Sequence, residues 1–531
     1  MSTAPHEGHV RVWPTHGAPR VYPEQDLAGS SDRPSTGLCL SGGSTRAYAA
    51  AVGQLRGFTT LGLIPRLGYL SAVSGGAWAA AAYTYYAGLA ESDDVILGAW
   101  EPPETITVDS LAELSPAALA YAASLDFAEV LRAIHADTSV PRGEVWSRAI
   151  GQTFLAPYGL YDPADPIGFT LDAGTRDAIL SRNPGLRRWR LRLVRDATRP
   201  YLLIHAALNG PVDEAGRSAK IGFEFSPLAV GSPQLVTFDA DSGAPHRVGG
   251  GFIEPFAVGC SVPTSVPDRQ GVASVELPPR PLTLADAIGA SSAFSSPDRD
   301  PETYPHVRHW PIVRDTSAVT SREQLTDGGD VENYGLIPLL ARGVRAIVVC
   351  INTVWPLSLE YDPAGWPDSD ADPGTTGAPR VIDPFLAPLF GEPSTRFPNN
   401  RVFAEGDYAA VVTGLQTAKR AGRTVMTEYT HTVHTNAWWG VDGGWDVRIC
   451  WMYNEQVAQW EAQLQPPLRA LIVGGRAAAP SGPVRHFPHY LTRGQNPGSL
   501  IRLTPPQINL LAHLSSWNVV TNADLFRSLL G

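Results

Sequence analysis

Ser74 stands where a serine could serve as a nucleophile. It follows the apolar run Tyr69-Leu-Ser-Ala-Val73, and Gly75-Gly76 and an alanine-rich stretch to about Leu89 come directly after it. A serine in a sharp strand-to-helix turn has its hydroxyl lifted clear of the sheet, and small neighbours tolerate the strained backbone. The helix start adds unpaired N–H groups and a positive dipole end. The strict elbow pattern, G-x-S-x-G, asks for glycine at position 72; Ala72 is small enough to take its place. The plainer reading is a serine that only caps a helix.

A second turn has matching chemistry. Ser41-Gly42-Gly43-Ser44-Thr45-Arg46-Ala47 joins the apolar run Gly37-Leu-Cys-Leu-Ser41 to a helical pattern that continues to about Thr60. Adjacent N–H groups of Gly42, Gly43 and Ser44 at a helix start make an anion cradle, which in acyl transfer would hold the developing oxyanion. A nucleotide-binding P-loop would need a Gly-Lys pair, which this stretch lacks. A third element, Thr326-Asp327-Gly328-Gly329, precedes Asn333, Pro338-Leu-Leu340 and the buried strand at 345–351. The two glycines let the backbone turn closely, so the Asp327 carboxylate can face another loop; the plainer reading is an Asp-Gly turn. A second copy, Asp442-Gly443-Gly444, has no such helix and strand after it and reads as a turn between strands.

In this order, the three elements resemble those of the patatin-like and cytosolic phospholipase A2-like acyl hydrolases. The arginine three residues after Gly43 is closer to the second branch. So are Glu224-Phe225-Ser226-Pro227, the helix from Ala285 to Phe294, and Phe487-Pro488-His489-Tyr490. The resemblance runs from about residue 36 into the C-terminal region and is specific near 40–80 and 325–351. It departs from the pattern at Ser44, which replaces a third glycine but keeps its N–H, and at Ala72. The resemblance implies a lipid acyl hydrolase with a Ser74–Asp327 dyad and no histidine, working through an acyl-enzyme. Gly42, Gly43 and Ser44 would form the oxyanion hole. Arg46 would hold a phosphate headgroup, for which bidentate geometry suits it. A carboxylate is a weaker base than imidazole, so such a site should be desolvated. The substrate would be a phospholipid or lysophospholipid, reached at a peripheral membrane surface. Neither a cofactor nor a metal is implied.

These residues need a scaffold. Strand, glycine turn, helix, strand, tight turn, helix over residues 37–89 implies an α/β fold. The expected architecture is a three-layer, mostly parallel sheet with helices on both faces. Residues 188–208 read as two strands, 222–227 as part of a loop-rich region, and 282–294 as a helix. Residues 1–35 read as an irregular leader and 36–531 as one catalytic domain. Within it, 361–400, rich in Pro, Gly and Asp, forms a loop-rich insertion, and about 450–531 is largely helical.

The chain has 531 residues, 44% hydrophobic and 18% charged, so there is ample material for a packed core and a disordered chain is excluded. A net charge of −11, with Lys220 and Lys419 the only lysines, disfavours broad nucleic-acid binding. No run approaches the roughly 20 apolar residues of a membrane span, and Met1 to Asp26 has no apolar core like that of a secretory signal. A cytoplasmic setting is expected. Cys39, Cys260, Cys350 and Cys450 lie far apart, mostly in strand-like runs, and read as buried thiols. His431 and His434 have ligand spacing but no third ligand, and Asp368, Asp370 and Asp372 lack the glycine and glutamate of a calcium loop. Both read as structural. Two competing functions remain: a Ser-Asp-His esterase drawing on His431, His434, His486, His489 or His513, and a lipid-binding protein that keeps the fold without catalysis.

Overall fold

The structure is a computed structural model that describes residues 7–15, 21–27, 33–88, 92–212, 218–238, 246–263, 271–294, 300–312, 321–370, 380–477, 482–491 and 502–531. Its centre is five strands in parallel: β15 (Trp445–Tyr453), β13 (Ala346–Ile351), β2 (Thr36–Leu40), β3 (Tyr69–Val73) and β6 (Tyr201–Val212), side by side in that order. Beyond them the pairing turns antiparallel. On one side lies β14 (Met426–Val433). On the other lie β7 (Ser218–Phe225), β8 (Val230–Phe238), β9 (His246–Ile253), β1 (Glu7–Pro14) and β10 (Val272–Glu276). β12 (Ser321–Asp327) also pairs antiparallel with β6 and carries β11 (His306–His309) at its edge. A separate parallel pair joins β4 (Ile167–Thr170) and β5 (Arg190–Leu193).

The central strands are apolar throughout because they are buried on both faces. Leu38, Leu40, Leu70, Ala72, Val348 and Cys350 face one core. Cys39, Tyr69, Ile347, Val349 and Ile351 face the other, as the period of two in a strand requires. The first core is covered by helices α1 (Ser44–Thr60), α2 (Ser74–Tyr85), α3 (Asp93–Leu97), α4 (Phe127–Ala136), α5 (Val145–Phe154), α6 (Ala173–Arg182) and α7 (Leu284–Ser291). The second lies under α8 (Leu336–Ala341) and α9 (Glu405–Arg420). The C-terminal part adds α10 (Ala458–Glu461), α11 (Pro466–Gly475), α12 (Pro505–Val520) and α13 (Ala523–Leu530). Helix α12 lies tightly on α1: a Cβ on Gly53 would stand 2.2 Å from the Ala512 carbonyl oxygen and one on Gly57 2.5 Å from Val519. Helices thus cover both faces of the sheet, and the parallel order expected from residues 37–89 holds in its middle.

Several expectations need correction. Residues 7–14 are a strand, not an irregular leader. Val10 and Val12 alternate inward, and the partners that make this short charged run a strand, β9 and β10, lie more than 230 residues away. Glu24 is also buried, where it accepts the Arg342 Nε–H at 2.6 Å. Residues 222–225 belong to strand β7, so the region read as loop-rich is an antiparallel meander. Residues 445–453 are strand β15, so the helical C-terminal part starts only at Ala458. The 361–400 segment does lack strands, apart from its undescribed part, yet Ile382, Leu386, Leu389 and Phe390 pin it to the second core. All four cysteines are free and buried.

Among the described residues, no helix is long and apolar enough to cross a membrane, and no group of three or more His, Cys, Asp or Glu is placed to hold a metal ion. The buried His431 gives Nδ1–H to Asp407 at 2.9 Å, accepts the Trp451 Nε1–H at 3.1 Å and stacks on Phe403. Asp370 accepts from Ser394 and Thr395 at 2.7 and 2.6 Å; Asp372 lies outside the described residues.

Three buried imidazoles predict acid sensitivity. Burial lowers His205 to about 3 and His309 and His489 to about 4, from an ordinary 6.5. Between those values and 6.5 the unfolded chain binds protons that the folded chain refuses, so stability falls as pH drops below 6.5. Each contributes up to about 1.4 kcal/mol per pH unit. Denaturant melts between pH 7 and 5 should show this loss; equal stability at both ends would refute it.

Candidate active site

The site forms where the carboxyl ends of β2 and β3 meet the last residue of β12. Strand β3 ends at Val73 and α2 begins at Ser74 without a spacer. The serine takes φ 51°, and Ser44 at the start of α1 takes φ 59°. Such left-handed backbone costs a non-glycine residue about 1 kcal/mol or more and gathers where function demands it. The two turns are packed together. A Cβ on Gly75 would lie 1.9 Å from the Ser44 carbonyl oxygen, and one on Gly76 2.3 Å from that of Leu40. Gly75 and Gly76 therefore let α2 start directly against the 42–44 loop. A Cβ on Gly42 would come within 3.2 Å of the Ser74 Cβ, so that loop runs beside the hydroxyl.

Asp327 arrives from far along the chain. β12 pairs with β6 in a register that sets Asp327 opposite Ala206, and β3 pairs along the same edge of β6, end to end with β12, with Val73 opposite His205; β7 holds the other edge. Strand β6 thus brings the two residues to the same end of the sheet. Gly328 completes the approach, since a Cβ there would meet the His205 carbonyl oxygen at 2.4 Å. The Ser74 hydroxyl donates to Asp327 Oδ2 at 3.0 Å, and Oδ1 accepts the Gly329 N–H at 2.8 Å. The two residues are 6% and 9% exposed, which keeps the pair largely dry without sealing it.

The remaining site candidates divide. Ser44 heads α1, where its N–H is among the first-turn donors that have no partner inside the helix. Gly43, with φ 143°, precedes it in a conformation suited to glycine. Gly42 is a correction: its N–H is given to the Asn333 carbonyl at 3.0 Å, so it holds the glycine turn against the Asp327 loop and has no N–H left for an oxyanion. Arg46 also differs from the expected headgroup ligand. It is 6% exposed, and Nε and Nη1 donate to the carbonyls of Asn352 and Tyr490 at 3.1 and 2.8 Å. It braces the loop from behind, tying α1 to the end of β13 and to the 487–490 segment.

Two of the histidines offered for a triad have side-chain partners elsewhere: His489 Nε2 bonds the Asn454 carbonyl at 3.0 Å and His431 is held by Asp407. His434 is tied by its backbone N–H to the Val402 carbonyl, and the buried Nδ1 of His513 has no hydrogen-bond partner among the described residues. The imidazole nearest in register, His205, meets the Ser71 hydroxyl at 2.7 Å. One contributor was not anticipated. Ser291, the last residue of α7, accepts the Ser74 N–H at 2.9 Å and donates to the His205 carbonyl at 2.6 Å, fixing the strained elbow. The only sequence signal for it is a Ser-Ser pair closing an apolar helix.

No family model matches the chain, and no curated protein matches it. Among solved structures, human GIVD cytosolic phospholipase A2 is similar at a TM-score of 0.48 and 13% identity, over 95% of this chain and 64% of that one. The same human protein with methyl γ-linolenyl fluorophosphonate and terbium chloride gives 0.42 and 13%, over 95% and 60%. With the fluorophosphonate alone it gives 0.40 and 14%, over 95% and 60%. The chain therefore spans less than two thirds of the length of these structures.

Proposed function

We propose that this chain is a lipid acyl hydrolase of the phospholipase A or lysophospholipase type, working through a Ser74–Asp327 dyad. The observation that carries the reading is the direct 3.0 Å hydrogen bond from the Ser74 hydroxyl to the Asp327 carboxylate, at a helix start beside a glycine turn. Asp327 takes the hydroxyl proton as Oγ attacks the ester carbonyl carbon. The N–H groups of Gly43 and Ser44 hold the oxyanion, each donor being worth roughly 3 kcal/mol. The intermediate collapses, the ester C–O bond breaks, and Asp327 returns the proton to the departing alcohol. Water, deprotonated by the same carboxylate, then attacks the acyl-enzyme and frees the fatty acid. The motif resemblance near 40–80 and 325–351 supports a phospholipid or lysophospholipid as substrate and a single catalytic unit built around the sheet. It also supports a cytoplasmic chain that meets its substrate at a membrane surface.

The test is a panel of phospholipid, lysophospholipid, glyceride and short-chain ester substrates, run beside fluorophosphonate labelling. Fatty-acid release from the phospholipid or lysophospholipid arms with stoichiometric labelling at Ser74 is expected. Lipid binding with neither turnover nor labelling would instead identify a non-catalytic lipid-binding protein.

A further inference from the structure

Helix α2 begins at Ser74 and ends, 12 residues on, at Tyr85. At 1.5 Å per residue its far end lies about 18 Å from the serine. Just past that end is a separate cavity of about 720 Å³, walled by Tyr86 to Gly88, by Arg176 on α6 and by the stretch from Leu191 on β5 to Asp196. That volume is in the range of small-molecule sites. Its charge is unusual for a chain of net charge −11: three arginines, Arg176, Arg192 and Arg195, line it against one carboxylate, Asp196.

The acids nearby are already committed. Asp177 pairs with Arg176 at 2.9 Å, and Asp196 is shared between Arg195 and Arg199 at 3.9 and 3.8 Å. Arg192 differs. Its Nε is buried and has no hydrogen-bond partner among the described residues. Burial, with Arg190 beside it, lowers its pKa, as expected of a guanidinium set in a wall without a counter-charge. Leaving a charged donor unpaired costs more than leaving a neutral one. The guanidinium, half-buried in the cavity wall, has no carboxylate partner among the described residues, so an anion in the cavity would supply its counter-charge.

We propose that this cavity is a phosphate site, with Arg192 as its central cation and Arg176 and Arg195 on its flanks. Guanidinium groups match phosphate oxygens in bidentate geometry. Leu191, Leu193 and Val194 give the same cavity an apolar side. The shared chemistry is the phosphate group, either free or carried on a lipid headgroup. The site is independent of the dyad, and the two readings fail separately.

The experiment titrates the intact protein with inorganic phosphate, glycerol 3-phosphate and submicellar lysophosphatidic acid, each against sodium chloride at equal ionic strength. Binding is read by calorimetry and by the shift in Tm. Phosphate-specific binding is expected, weakened roughly tenfold or more in Arg192→Ala and kept in Ser74→Ala. Tighter binding of the lysolipid, lost in the same variant, assigns the site to a headgroup; equal binding of all three assigns it to phosphate itself. Should Arg192→Ala fold poorly, Arg176→Ala on the exposed side of α6 carries the same expectation. Effects no larger than those of chloride, or affinities unchanged in both variants, would overturn the proposal.

Discussion

Ser74→Ala is expected to abolish ester hydrolysis, by about four to six orders of magnitude, while the protein folds as before. The reason is local. The hydroxyl makes one hydrogen bond, to Asp327, and it is the only nucleophile the strained elbow presents to that carboxylate. Removing it takes away the acyl-enzyme route and leaves the oxyanion donors and substrate binding in place. Labelling by a fluorophosphonate should vanish in the same variant. The backbone provides a second reading. At φ 51° an L-residue is strained, so Ser74→Gly should be as inactive as the alanine variant yet more stable, by about 1 kcal/mol. Rates of lipid hydrolysis and thermal melts on the three proteins decide the matter. Full turnover by Ser74→Ala would end the dyad reading.

Asp327→Asn should lower kcat by roughly 10³- to 10⁴-fold with little change in KM, a loss typical of a general base. The amide keeps the size of the side chain, and its oxygen can still accept the Gly329 N–H, so the loop should stay in place. What is lost is basicity at the atom that faces the Ser74 hydroxyl. Single replacements of His205, His431, His434, His486, His489 and His513 form the control. If any one of them proved as damaging to turnover as Ser74→Ala while folding normally, imidazole catalysis would replace the dyad.

How much of this was legible in the chain differs from element to element. The runs 37–41, 69–73 and 345–351 announced themselves as strands because strands buried on both faces need uninterrupted apolar residues. The glycine turns after the first two were equally visible, since only small residues let two helices start against each other; the atoms crowding Gly75 and Gly76 show why. The antiparallel flank was not visible. Strand β1 has only two apolar residues facing inward, and its identity rests on β9 and β10. Strand β7 reads as loop because glycine and glutamate interrupt it, yet Glu224 is satisfied by the buried Arg342 at 2.7 Å.

For the site itself, residue types and turn chemistry were enough to single out Ser74, Asp327 and the 42–44 loop, because backbone strain and helix-start donors are local properties written in five or six neighbouring residues. Which donors and charges remain available is a different matter. That Gly42 spends its N–H on Asn333, that Arg46 is consumed by two carbonyls, and that Ser291 reaches the elbow from α7 follow from contacts between segments more than 200 residues apart in the chain. Strand β6, pairing first with β3 and then with β12 along one edge, is what brings a hydroxyl and a carboxylate 253 positions apart to 3.0 Å. No short window of sequence contains that register, because it is set by which strand edges find each other when the sheet closes.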